Sequence, residues 1–205
     1  MAAVRGFWQA VQGRHVLFWS ADPALQRHWE AAGAAGQLSE RSLSVGLINR
    51  GPDKLDPLLA VTAEIRLVGR YRDRLDVEID LRVTNTATGS EPAEITSASQ
   101  KWLARSASEY RAYLAVSAPG EAQFLRIDDF GDYLALGADG PTQIAVVKDF
   151  IQPQETKLYR IAFSLPPTAH TIRLEPSARL PGIVWRVGSS IIDDSRPHTL
   201  DLLRH

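Results

Sequence analysis

The chain has 205 residues, with 23 Lys and Arg against 24 Asp and Glu and a formal net charge of -1. Hydrophobic residues make up 44% and charged residues 23%, a balance that excludes a disordered tail, a collagen-like rod and a coiled coil. Near-neutral charge argues against a dedicated nucleic-acid binder, which needs surplus cations on one face, and zero cysteines exclude disulfides, zinc–thiolate sites and thiol nucleophiles.

The opening segment lacks a basic start followed by a continuous apolar stretch, so it does not read as a signal peptide. It begins abruptly on an amphipathic segment, as expected of a fragment of a longer chain. Val4, Phe7, Trp8 and Val11 fall at helical spacing and predict a helix over residues 3–13. Residues 15–19 (HVLFW) read as a short apolar strand. Asp22 then supplies a cap and Pro23 a first position for a second helix, which Gly33 ends. This is a helix–strand–helix unit.

From Leu43 the period changes to two. Leu43, Val45 and Leu47 mark one strand, and Val61, Ala63, Ile65 and Leu67 a second. The third has the clearest alternation, with Leu75, Val77, Ile79, Leu81 and Val83 separated by Asp76, Glu78, Asp80 and Arg82. Such a strand has one buried and one wet face, as in an antiparallel sheet. The polar stretch 69–74 has hairpin-loop length and pairs the second strand with the third. Residues 90–109 read as a long connection with a short helix near Trp102. Further strands are expected at 110–116, 124–127, 144–151, 156–165, 170–175 and 183–187, with polar loops at 128–132 and 137–141. The total of about nine strands, with prolines confined to their ends, is the pattern of a β-sandwich.

The expected architecture is therefore mainly β, an antiparallel, immunoglobulin-like β-sandwich with the N-terminal unit packed on it. Its parts are residues 1–42 for the helix–strand–helix extension, 43–190 for the sandwich and 191–205 for a polar C-terminal tail.

Motifs that would carry chemistry are few. The histidines are His15, His28, His170, His198 and His205, and none lies in an HxH or HExxH arrangement. His28 reads as a surface residue, whereas His170 alternates with Ile172 and Leu174 and is expected to point inward. There is no Gly-x-Ser-x-Gly elbow and no phosphate-binding glycine loop. No catalytic residue and no cofactor is expected. Asp128, Asp129 and Asp132 crowd one loop and are candidate calcium ligands, since calcium takes oxygen donors, but the same residues favour turns locally. Among the aromatic residues, most are expected in the core. Tyr71 on the hairpin loop and Trp102 in the irregular stretch are the candidates for packing on a sugar ring.

Residues 13–23 (GRHVLFWSADP) followed by 47–56 (LINRGPDKLD) resemble the C-terminal part of a bacterial family known as domain of unknown function 4012. Later blocks follow in the same order, at 81–87 (LRVTNTA), 110–114 (YRAYL) and 150–156 (FIQPQET). The chain departs from the family at Asp53, where members carry Asn, and at Pro57, Leu58 and Leu59, where they carry aromatics. The 47–56 segment reads as a structural turn in which Lys54 and Asp56 tie a loop to strand ends. The resemblance implies location more than activity. It implies a protein anchored in the membrane by a helix upstream, with an extracytoplasmic region ending in this module at the cell surface, alongside surface polysaccharide. No catalytic residue transfers from it. The expected function is a non-enzymatic structural or interaction module of the cell envelope, with an envelope protein or polysaccharide as partner and no nucleic acid. The alternative is a carbohydrate-binding or polysaccharide-processing domain.

Overall fold

The computed structural model describes residues 2–96, 108–128 and 133–204. Two helices come first, α1 (Ala2–Gln12) and α2 (Pro23–Ala31). Asp22 caps α2 as its sequence requires, its Oδ1 accepting from the Ala24 N–H at 2.8 Å, with Pro23 in the first turn. Gly33 follows the helix with φ +69, the left-handed conformation that glycine adopts without a Cβ clash.

The strand expected at 15–19 is corrected: no strand forms there. The Phe18 N–H donates to the Ala34 carbonyl, and the Phe18 ring stacks on Trp29 with centroids 4.7 Å apart. The apolar run packs by its rings against α2 instead of joining a ladder. It leaves Trp19 80% exposed. A cavity of about 140 Å³ is lined both by Trp8, Val11 and Arg14 of the N-terminal segment and by Arg173 and Glu175 of the β region.

The remainder is mainly β, in two six-stranded sheets. The strands are β1 (Ser42–Asn49), β2 (Leu59–Arg70), β3 (Leu75–Asn85), β4 (Tyr110–Pro119), β5 (Gln123–Ile127), β6 (Tyr133–Asp139), β7 (Thr142–Ile151), β8 (Thr156–Leu165), β9 (Thr171–Leu174), β10 (Val184–Val187), β11 (Ser190–Ile192) and β12 (His198–Asp201). One sheet has the order β12-β9-β1-β4-β7-β6 and the other β11-β10-β2-β3-β8-β5. A short helix, α3 (Ala93–Thr96), follows β3. The helix expected near Trp102 lies outside the described residues.

The alternation in the sequence is what closes this stack. Leu75, Val77, Ile79, Leu81 and Val83 on β3 are all buried, and Ile161 and Phe163 on β8 join them. Leu43, Val45, Leu114, Val116 and Val147 from the other sheet belong to the same apolar cluster. The oily faces of the two sheets meet, as in a sandwich.

Three expectations about the β region are corrected. The sheets are mixed, not wholly antiparallel: β9 runs parallel to β1, and β10 parallel to β2. Residues beyond 190 are not a tail, because β12 pairs with β9 and buries Leu200. Finally, β6 occupies part of the stretch read as loop. It is an edge strand with hardly any buried side chain, so its sequence carries no inward periodicity to read.

On the outer face of the β2–β3–β8 sheet, cations and carboxylates alternate across strands. Arg66 reaches Glu78 at 2.7 Å and Asp80 at 2.8 Å, and Arg160 lies 3.4 Å from Glu78. Each such surface pair contributes roughly 0–1 kcal/mol.

Candidate functional site

Tyr71 is where the sequence places it, on the turn that closes β2 and β3. Its N–H donates to the Arg74 carbonyl at 2.8 Å, and the residue is 51% exposed. The Arg74 guanidinium sits 4.5 Å from the ring centroid, so one ring face already carries a cation. Asp128 follows β5, and its Oδ1 accepts from Arg126 Nε at 3.0 Å. Asp129, Asp132 and Trp102 lie outside the described residues. Among the described residues no group of three or more His, Asp or Glu side chains gathers as a metal site would need.

His28 is exposed on α2, as expected. His170 does not point inward: its side chain is 36% exposed, with Nδ1 3.0 Å from Asp201 Oδ1. The sequence misplaced it because a short 3₁₀ turn (Pro167–Ala169) precedes it, so it stands just before β9 instead of inside it. Asp201 also accepts from the Leu203 N–H, and this bond, with His170 beside it, holds its carboxyl below the usual range.

The 47–56 segment is a knot of side-chain bonds at one end of the stack. Asn49 Nδ2 donates to Asp53 Oδ1 at 2.7 Å and to Asp56 Oδ2 at 3.1 Å. Asn49 Oδ1 accepts from the Gly51 N–H at 2.7 Å. A Cβ on Gly51 would stand 1.9 Å from Asp53 Oδ2, so any larger residue there must push the Asp53 carboxylate aside. Asp56 Oδ1 accepts from the Tyr110 hydroxyl at 2.8 Å, and the Asp56 carbonyl accepts from Arg179 at 3.1 Å. Burial pushes the Tyr110 hydroxyl up, with the Asp56 charge adding to it, so Tyr110 stays protonated and donates. Lys54 takes part through its backbone, its N–H donating to the Ile95 carbonyl at 2.8 Å. Asp56 thus ties a loop to strand ends, and Arg179, from the loop before β10, is a partner that no local pattern announces.

Glu91 fastens the loop after β3. Its carboxylate accepts from Ser108 Oγ at 2.6 Å and from the Gly89 N–H at 3.0 Å. The Ser108 bond is the largest cause that brings the Glu91 carboxyl from 4.5 down to about 2. A depressed carboxylate stabilises the fold above its unfolded value, and that contribution is lost as pH falls through the folded one. The loop therefore holds at pH 5 and above and loosens between about pH 4.5 and 2. Ser108→Ala is expected to raise the Glu91 value toward 4.5 in an NMR titration and to move the acid onset of loop opening upward. An unchanged titration would show that Ser108 has no such role.

A different arrangement occupies the outer face of the β4 sheet. Tyr110, Ala112 and Leu114 point into the core, so Glu109, Arg111 and Tyr113 point away from it. In register, Arg111 faces Phe150 of β7 and Tyr113 faces Lys148. Arg50 continues β1 beside them, its N–H donating to the Arg111 carbonyl at 2.8 Å. The Arg50 guanidinium stands 4.6 Å from the Tyr113 ring centroid and 5.7 Å from that of Phe150.

Unlike Arg66 and Arg160 on the opposite sheet, neither Arg50 nor Arg111 forms an ion pair among the described residues. Arg111 is only 9% exposed. Arg50 Nη1, Arg111 Nε and Glu109 Oε1 are all buried without a hydrogen-bond partner, while the other Glu109 oxygen accepts from the Gln152 amide. A buried polar group left unmatched costs roughly 1–3 kcal/mol, so three on one patch are a standing cost to the fold. Two guanidinium groups and an aromatic ring gathered on one sheet face are complementary to a polar ligand with a ring of its own. The signal in the sequence was the period-two run Arg111-x-Tyr113, a cation and an aromatic on the side of the strand away from the core. Its pairing with Arg50 is a long-range contact that the run does not encode.

A scan against protein-family models finds no match to this chain, and a search of curated proteins finds no relative.

Proposed function

We propose that this chain is a non-enzymatic, extracytoplasmic interaction module of a cell-envelope protein, and that its partner is a surface polysaccharide. The observation that carries the reading is the patch of Arg50, Glu109, Arg111 and Tyr113, whose buried donors and acceptor have no partner within the described chain. Saccharides supply the matching chemistry, because their hydroxyls both donate and accept and their C–H faces pack on aromatic rings. The resemblance of residues 13–23 and 47–56 to the domain of unknown function 4012 supports the same location, with a membrane anchor upstream of this module. The likeness to an immunoglobulin-like sandwich rests on the two facing sheets. The alternative role in polysaccharide processing has less support, since its loop carboxylates crowd together in sequence and Asp128, the one among the described residues, is paired with Arg126.

The test is titration of the chain with bacterial envelope polysaccharides, followed by sizing of the polymer. Saturable binding with unchanged polymer length is expected, weakened at least tenfold by Tyr113→Ala. Shortening of the polymer would refute the non-enzymatic reading. Absence of saturable binding to every polysaccharide tried would refute the ligand class.

A further inference from the structure

Resting on that reading, we infer that the Arg50–Arg111 patch is a site for an acidic saccharide, with the ligand's oxyanion held by the two guanidinium groups. Arg50 and Arg111 stand opposite each other at the β1–β4 pairing, and like charges opposite each other across strands repel. Lys148, exposed and across from Tyr113, adds a third positive charge at the rim. No carboxylate among the described residues offsets Arg50 or Arg111 through an ion pair, whereas the cations facing outward at Arg66 and Arg160 have theirs.

The geometry of the donors then selects the group. Tyr113 packs on the Arg50 guanidinium, whose Nη1 is buried and unmatched. Arg111 presents an equally unmatched Nε from a side chain that is nine-tenths buried. Guanidinium edges fit the paired oxygens of a carboxylate or phosphate better than any neutral acceptor. Glu109 lies on the same face as Arg111 but is only 1% exposed, so it is shielded from a ligand. The ligand therefore carries an oxyanion at the arginines, with its ring along Tyr113. A uronic acid and a sugar or polyol phosphate both meet this description.

The experiment is calorimetric titration of the full chain at low and moderate salt with three probes: galacturonate oligomers, glycerol-phosphate oligomers and dextran oligomers of matched length. At least one acidic series is expected to bind ten times or more tighter than dextran, more weakly as salt rises, and whichever series binds identifies the oxyanion. Arg50→Gln and Arg111→Gln are each expected to lose tenfold or more of that affinity, while Arg111→Lys, which keeps the charge but not the fork, loses less than Arg111→Gln. Circular dichroism checks the fold of each variant, and Arg50→Gln decides the matter should Arg111→Gln unfold. Equal binding of dextran, or glutamine variants that bind acidic probes as the native chain does, overturns the acidic site and leaves the polysaccharide reading in place. Failure of all three probes and of the envelope polysaccharides overturns both.

Discussion

Asp56→Ala is expected to destabilise the fold by about 3 kcal/mol. The Arg179 side chain is 5% exposed, and its guanidinium lies 3.7 Å from Asp56 Oδ1. Removing the carboxylate leaves a buried cation without a counter-charge, which typically costs 3–5 kcal/mol. The same change takes the acceptor from the Tyr110 hydroxyl and one acceptor from Asn49. The Asp56 side chain is 42% exposed, so water reaches part of the gap and holds the loss to the lower end of that range. Asp56→Asn keeps an acceptor for Tyr110 and loses only charge, so it costs less. Pairing Asp56→Ala with Arg179→Met removes both charges and is expected to recover part of the loss. Urea unfolding of the four proteins measures this directly. A midpoint for Asp56→Ala within error of the native one would show that the knot is ornamental to stability.

Trp185→Ala is expected to cost about 3–5 kcal/mol, the usual loss for deleting a buried indole. Trp185 is 1% exposed and is among the largest fully buried side chains. It faces Ala63 of β2 on one side and Ile192 of β11 on the other, and small Ala63 leaves room for its ring. β10 has four residues and joins β2 by a parallel pairing, which contributes slightly less per residue than an antiparallel one. The indole thus anchors the β10–β11 hairpin, together with Val187, which is equally buried. Faster amide exchange confined first to residues 184–192 should accompany the loss of stability. Loss of less than 1 kcal/mol, with uniform exchange, would mean that the hairpin is held by its backbone bonds.

The distance between what was readable and what was not follows the range of each interaction. Alternation in 75–83 announced β3 without help, because each residue records only whether it faces oil or water. The α2 start was readable for the same reason: Asp22 and Pro23 act on backbone groups within one turn. Of the site residues, Tyr71 was correctly placed on an exposed turn, and Asp56 on a loop it ties. The arginine patch was not readable, since nothing next to Arg50 in the chain tells it that Arg111 and Tyr113 will stand beside it.

By itself, then, the sequence determined a predominantly β chain with a helical start, most of its inward-facing residues and the turns between central strands. Tertiary structure alone decided that β9 and β10 run parallel to their neighbours, that residues 198–201 close one sheet, and that β6 forms an exposed edge. Edge strands wet on both faces need no alternation, and short strands are selected by the partner that accepts their hydrogen bonds. Charge balance is of the same kind. Arg66 and Arg50 look alike in the chain, and only the folded sheets give the first its carboxylates and leave the second without them.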